Sequence, residues 1–478
     1  MKILHKRGTT SAVNSYAGSV GEIAVDTDKS TVVVQNGTAG GVALAKATTK
    51  IIAGDGISIT GNNTLGEDIT VAFSGGKLTD NMHVYVDPDN GSNSNTGADA
   101  SHAVKTIAYA IKLCRSSGGE NYIHLKGGSS ASASVVYSSL NVTQGQFSIY
   151  TSGHVTFNSF IVENGSVSLL AESDGSAVYH ATNHMRVRYN SSLIIGNTTT
   201  VDIPSYALYI YASSCQNNGT IKCGKLHIAR AASFIMPDVS SGVTPQLLVT
   251  PDSAYSDTYA GWIWVNNGSV MEVTGQKIQA SVIYVRRCSC LYISPITLQV
   301  ASRITAIFSS MVQIGGSTED NAITVTVQSL RVETNSTILV SGSPTTINMT
   351  NSDHEECVTC DTNGVFECSD KVTFNIKGNS DTVTAGFKAT AGGVVYIHGS
   401  STTVKVSGKF SNALFVLYRN GTGTILDSNF TGSQTAGAHY NVNWNSVFYV
   451  HSSVWTNVSI PSSASDTVGT KGSNYVGA

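Results

Sequence analysis

From about residue 160 onward the chain repeats one short unit: an apolar-alternating run, a small polar turn, then a second apolar run. Phe160-Ile161-Val162-Glu163-Asn164-Gly165-Ser166-Val167-Ser168-Leu169-Leu170 is one copy. Residues 185–195, 262–271, 282–291 and 306–312 are others, and weaker copies turn at Thr220, Ser233, Ser336, Gly393, Gly423 and Ser453. The copies number roughly eleven, mostly about 20–30 residues apart. Alternation on both sides of the turn means short strands with one buried face. Asn, Gly and Ser supply the tight or left-handed conformations between them. One unit cannot bury its own apolar face, so the units must stack. The predicted fold is therefore all-β, a right-handed parallel β-helix. A propeller blade needs a period of about 40–50 residues, and a leucine-rich repeat needs a Leu/Asn pattern that is absent. On this reading Asn-x-Ser/Thr triplets such as Asn164-Gly165-Ser166 and Asn190-Ser191-Ser192 are solenoid turns.

Composition agrees. A chain of 478 residues allows two to four ordinary domains or one long repetitive one. Only 12% of residues are charged, against about 25% in typical soluble domains, while glycines number 46. Abundant β-branched residues and few charges favour strands over helices. A hydrophobic fraction of 41% excludes global disorder. The net charge of -3 excludes a generally basic nucleic-acid binder, so no nucleic-acid partner is expected. No run reaches the roughly 18 apolar residues of a membrane helix, so no membrane insertion is expected. The opening MKILHKRGTTSA carries charge without an apolar run behind it, which predicts no secretory signal and synthesis in a cytoplasm. Cys114, Cys215, Cys223, Cys288, Cys290, Cys357, Cys360 and Cys368 are too sparse for a disulfide scaffold and read mostly as reduced, buried small hydrophobes.

One helical segment precedes the repeats. Val104, Ile107, Ala108 and Ile111 fall on one helix face, with Ser101 as the expected N-cap and Gly118-Gly119 closing the end. Such a helix would cover the open first rung of a solenoid. Before it runs Val84-Tyr85-Val86-Asp87-Pro88-Asp89-Asn90-Gly91-Ser92, and within it Lys105-Thr106-Ile107-Ala108-Tyr109-Ala110-Ile111. These stretches resemble the opening of pectate-lyase-like β-helix proteins over about 30 residues. The resemblance concerns fold and says nothing alone about chemistry.

Residues 1–46 have a different texture: Lys6-Arg7-Gly8-Thr9-Thr10, then Gly21-Glu22-Ile23-Ala24-Val25-Asp26-Thr27-Asp28, Thr31-Val32-Val33-Val34, and Asn36-Gly37-Thr38-Ala39-Gly40-Gly41. Physically this is two short strands joined by an Asp-Thr-Asp-Lys turn, with a glycine-rich exit. It resembles the N-terminal module of bacteriophage tail fibres and tropism determinants, with Gln35-Asn36-Gly37 in place of His-Asp-Gly and Lys6 in place of Arg. The resemblance implies a small trimeric β-domain that docks a homotrimeric fibre to other tail or baseplate proteins. Residues 47–80, with Ala53-Gly54-Asp55-Gly56-Ile57-Ser58-Ile59, are similar to phage shaft segments; Gly54 and Gly56 lack the context of a nucleotide loop. The expected organisation is a virion-attachment module at 1–46, a β linker at 47–80, the β-helix opening and capping helix at 81–128, the β-helix at 129–460, and a C-terminal tail at 461–478.

Three groups of residues invite chemistry. Asp353 to Asp361, with Glu367, Cys368 and Asp370, is the densest charge in an acid-poor chain and contains Cys357-x-x-Cys360. Its ligand spacing matches no standard zinc site. Were the chain a glycosidase, Glu355, Glu356, Asp361 and Glu367 would supply the paired acids. The second group is Tyr255, Asp257, Tyr259, Trp262 and Trp264. Aromatic rings stack on sugar faces while neighbouring carboxylates accept hydroxyl protons. Trp262 and Trp264 share one strand side, which is either core or ligand surface; Tyr255 and Tyr259 fall in an insertion. The third, Asp87-x-Asp89-x-Gly91-x-Asn93, resembles a calcium loop but has Ala98 where the closing Glu would stand, and reads as an Asx-turn loop. No metal and no cofactor are expected.

The reading is a bacteriophage tail fibre or tailspike, located in the virion, that adheres to a host surface glycan or outer-membrane receptor. The alternatives are a tailspike depolymerase, a hydrolase or lyase acting on host polysaccharide, and a purely structural collar or baseplate fibre.

Overall fold

The computed structural model describes residues 6–43, 57–60, 70–73, 81–114, 120–173, 175–237, 245–274, 277–294, 297–315, 322–342, 344–350, 356–378, 383–434, 438–456, 467–468 and 474–477. The chain divides into two compact units, 1–80 and 81–478.

In the first unit, strands Lys6–Gly8, Ile23–Asp26, Thr31–Val34 and Val42–Ala43 form one sheet. Ile23–Asp26 and Thr31–Val34 pair antiparallel, as the hairpin reading expects. Asp26 pins the turn between them: its Oδ1 accepts from the amides of Asp28 and Lys29, both at 3.1 Å. A helix not foreseen from the pattern, Thr10–Ser15, is capped by Thr9, and its Val13 is buried, as are Ala24 and Val33 of the sheet. Ile57–Thr60 and Thr70–Phe73 form a separate antiparallel pair.

The second unit is a parallel β-helix in which most rungs contribute three successive strands. The first face is a 16-stranded sheet running from Met82–Val86 to Asn474–Gly477. The second and third faces merge into one 24-stranded sheet, because Thr199–Tyr211, Thr220–Ala229, Lys277–Arg286 and Thr297–Ile307 run through the corner between them. Parallel register stacks like on like: Leu193 pairs with Cys215, then Phe234, Met271, Leu291, Val312 and Ile338 in succession. Most rungs are 19 (Cys215 to Phe234) to 29 residues (Phe366 to Val395) long. Two are longer: 39 residues from Val84 to Ile123, which carries the capping helix, and 37 from Phe234 to Met271, which carries an insertion.

The corner leading from the third face to the first explains the triplets. Asn164, Asn190, Asn267, Asn335, Asn363, Asn420 and Asn445 all hold φ between 51° and 63° there, the left-handed region that Asn tolerates. Just inside the corner runs a serine ladder. Ser269 N donates to Ser289 Oγ (3.3 Å), Ser289 N to Ser310 Oγ (3.4 Å) and Ser310 N to Ser336 Oγ (3.0 Å), all buried. These hydroxyls satisfy corner amides that the strand ladders leave unpaired. Thr220 and Ser453 lie at a different corner, between the first and second faces.

Inward side chains fill one continuous core. Its middle is aliphatic, while towards the C-terminal end Phe387 stacks on Phe415 (centroids 4.9 Å) and Phe448 packs tilted against Phe415 (5.0 Å). Six of the eight cysteines are buried and all eight are free; Cys288 is exposed. The helix at the opening spans Ile107–Cys114 and buries Ile107, Ala110, Ile111 and Cys114. Thr106, not Ser101, is its cap: Thr106 Oγ1 accepts from Tyr109 N at 3.2 Å. Ser101 belongs to a short 3-10 turn that Asp99 caps, and Ala108 faces solvent. Gly118-Gly119 falls outside the described residues. Asp87 forms an Asx turn, accepting from Asp89 N and Asn90 N, and Lys126 Nζ sits 2.9 Å from its Oδ2. Burial alone would raise its carboxyl, but Lys126 and the loop donors outweigh that and bring it to about 2.

Ser310 should be the weak point of its corner when altered. Ser310→Ala leaves the buried Ser289 amide without its acceptor, and should destabilise the solenoid by about 1–3 kcal/mol in denaturant melts. Phe415→Ala, which empties a stacked core position, should cost about 3–5 kcal/mol.

Candidate functional site

Side-chain parity decides which way the tryptophans point. Ile263 and Val265 are fully buried, so Trp262 and Trp264, between and beside them, stand on the outer surface of the third face. Of the two alternatives for this side of the strand, the core is thereby excluded. The parity signal lies in the neighbouring copy: Tyr284 and Arg286 align with Trp264 and Asn266, and an arginine marks the outward side.

The 37-residue rung places the rest. Its insertion folds back over two preceding rungs: Asp252 N donates to Pro204 O (3.4 Å) and Gly261 N to Gly224 O (2.7 Å). Gly224 has no side chain for a reason, since a Cβ there would lie 2.9 Å from the Tyr255 ring. Asp257, Tyr259 and Trp264 gather round Lys225, whose side chain is only 9% exposed, while Tyr255 joins through Asp257 and Trp262 through Tyr259. Its Nζ lies 3.1 Å from Asp257 Oδ2, 5.0 Å from the Tyr259 ring centroid and 5.6 Å from that of Trp264. Tyr255 Oη donates to Asp257 Oδ2 (3.1 Å), and Tyr259 N to Oδ1 (2.9 Å). Burial opposes ionisation of Asp257, but the Tyr259 amide, Lys225 and Tyr255 together hold its pKa below the usual range. Burial, then the Asp257 charge, pushes the Tyr255 phenol up. Tyr259 stands edge-on to Trp262 (5.0 Å) and Trp264 (4.8 Å) and is itself exposed.

The cluster extends beyond the five. Rung on rung, Trp264 lies between His227, which meets it edge-on (5.5 Å), and Tyr284, which is tilted against it (5.8 Å), and Tyr209 adjoins His227 (6.0 Å). Arg286 lies over the Trp264 ring at 4.5 Å. Burial, helped by Lys225 and Arg286, lowers His227 to about 4. These residues escape a linear reading because they come from rungs 18 to 37 residues apart; only register brings them together. Chemically the surface offers π faces, phenol hydroxyls and guanidinium donors. A second outward column, His83, Tyr85, Tyr122, His124 and Tyr150, occupies the first rungs of the first face.

The acidic candidates are dispersed. Glu355 lies outside the described residues. Glu356 opens the strand Glu356–Asp361 and is held by Lys388 Nζ at 2.7 Å; Asp361 ends that strand. Five steps along an extended strand set their backbones about 17 Å apart, against the ~5–9.5 Å between the carboxyl groups of glycosidase pairs. Glu367 is on the first face, 3.0 Å from His398 Nε2. Among the described residues no three His, Cys, Asp or Glu side chains converge as a metal would need. No described helix is long and apolar enough to cross a membrane.

An NMR titration should find the His227 ring titrating at about 4. Because the folded pKa lies below the unfolded value of about 6.5, protonation favours the unfolded chain. The folded state should lose stability as pH falls from about 6.5 to about 4, and His227→Gln should flatten that slope. Asp257→Ala, which leaves the enclosed Lys225 ammonium without its acceptor, should destabilise by about 1–3 kcal/mol.

No curated protein and no solved structure matches the chain. Residues 3–39 match the family of the major tropism determinant N-terminal domain. The N-terminal segment is thus similar to a tropism-determinant module, which supports a phage tail-fibre-like protein.

Proposed function

We propose that this chain is a bacteriophage tail-fibre protein of the virion that adheres to the host cell. Residues 1–46 attach it to other tail or baseplate proteins, and the β-helix presents the adhesive surface. The tropism-determinant match at residues 3–39 carries this reading. The outward cluster of Tyr255, Asp257, Tyr259, Trp262 and Trp264 supports a surface glycan as the receptor, because rings and a fixed carboxylate suit sugar faces and hydroxyls. The strand-loop-helix order at 82–114 supports a pectate-lyase-like opening to the solenoid. Adhesion is favoured over depolymerisation: Glu356 is engaged by Lys388, and it stands far along the strand from Asp361.

Purified full-length chain should bind cells within a panel of bacterial isolates. Tyr259→Ala combined with Trp262→Ala should reduce the protein retained by those cells about 10-fold or more without moving the melting temperature. Light scattering should give three times the 50.0 kDa chain mass for the homotrimer. Absence of binding to every isolate would leave a structural fibre, and release of fragments from cell polysaccharide would make it a depolymerase.

A further inference from the structure

The surface around Trp264 has a direction and a charge that the five insertion-rung residues do not reveal. Parallel register places Arg186 under Tyr209, Tyr209 under His227, His227 under Trp264 and Trp264 under Tyr284. At about 4.8 Å per rung this outward column runs ~19 Å along the solenoid axis. It is not neutral. Arg286 lies over the rings of Trp264 and Tyr284, with its Nε donating to Asn266 Oδ1 at 3.3 Å. Arg230 lies over Tyr211 at 5.7 Å. Among the described residues, no carboxylate comes within ion-pair distance of Arg186, Arg230 or Arg286. Nearby, Lys225 is paired with Asp257 and Arg188 with Glu163. His227, lowered to about 4 by burial, is neutral at physiological pH. Three uncompensated arginines therefore border one aromatic column, on a chain whose net charge is -3.

We infer that this column takes a carboxylate-bearing polysaccharide laid along the solenoid axis, its sugar rings packed against the row of Tyr209, Trp264 and Tyr284 and its acid groups on Arg186, Arg230 and Arg286. The inference rests on the adhesion reading and names its ligand class. A guanidinium stacked on a ring keeps its planar donor fork free at the edge, the geometry that pairs with a carboxylate. A polymer with a repeating acid meets a scaffold whose side chains repeat in a straight row. Peptide capture by strand addition is not open to these rungs, because each is hydrogen-bonded to a rung on either side.

The test uses the full chain with polygalacturonate oligomers and their methyl esters, which share a backbone and differ in charge. Calorimetry should show the acid binding about 10-fold or more tightly than the ester. That preference should shrink between about 0.02 M and about 0.5 M salt. Arg286→Gln and, separately, Arg186→Gln should each weaken binding of the acid several-fold, with unchanged melting. Lys377→Gln, the same charge change at an exposed position on the second face, should not. Arg286→Lys, which keeps the charge and loses the fork, should fall between. Equal affinity for acid and ester, or full affinity in both arginine variants, would overturn the inference, as would binding of dextran sulfate but not polygalacturonate. If the chain binds bacterial isolates through Tyr259 and Trp262 yet rejects polygalacturonate at low salt, the carboxylate assignment alone fails. If it binds no isolate, the adhesion reading fails with it.

Discussion

Each rung of this solenoid exists because the rung beside it supplies hydrogen-bond partners and an apolar lid. A strand of four or five residues has no stability of its own, and an isolated rung would expose its apolar face and its backbone. Parallel register removes both problems at once, but it makes corners the critical points. There the chain must turn while its amides remain paired. Left-handed Asn residues accomplish the turn, and Ser289, Ser310 and Ser336 pair the amides left over. Corner chemistry thus holds the three faces in step.

The same register manufactures surfaces. A residue on the outside of one rung stands directly over its counterpart in the next, so aromatic residues scattered through the chain become columns. Tyr209, His227, Trp264 and Tyr284 make one such column. The rung from Phe234 to Met271 adds relief to it. Its extra residues leave the solenoid, return over Pro204 and Gly224, and stand Tyr259 against the tryptophans. A solenoid tolerates such an insertion because the strands on either side keep their register. Lys225, almost fully enclosed, ties the insertion down through Asp257.

Much of this architecture is legible in the order of the residues. The alternation in Phe160–Glu163 and its copies, the Asn-rich turns and the sparse charge lead to stacked strands, and a helix stands where the Ile107 and Ile111 spacing puts one. Local details are less legible. Ser101 looks like a cap, yet Thr106 is the residue whose hydroxyl meets a free helix amide; both are plausible caps, and only the chain's path chooses. The helix at Thr10–Ser15 lacks a long apolar stripe, having one buried residue, and so leaves little pattern to read. The side on which Trp262 and Trp264 stand is open in their own strand, because one that reads aromatic-aliphatic-aromatic is apolar on both faces; only alignment with Arg286 of the next copy marks it.

The amino-acid sequence by itself determined the period, the strand-and-corner grammar and hence the stacked β architecture, because those depend on alternation and turn propensity within a dozen neighbours. The similarity of residues 3–39 to a tropism-determinant module was likewise written locally, in motif order. Tertiary structure alone decided which scattered side chains meet. Glu356 and Asp361, close in the chain, were set far apart by one extended strand, whereas Lys225 and Asp257, on different rungs, were brought into contact. The reason is geometric: in a solenoid the neighbour that matters is a whole rung away, and rung length varies from 19 to 39 residues.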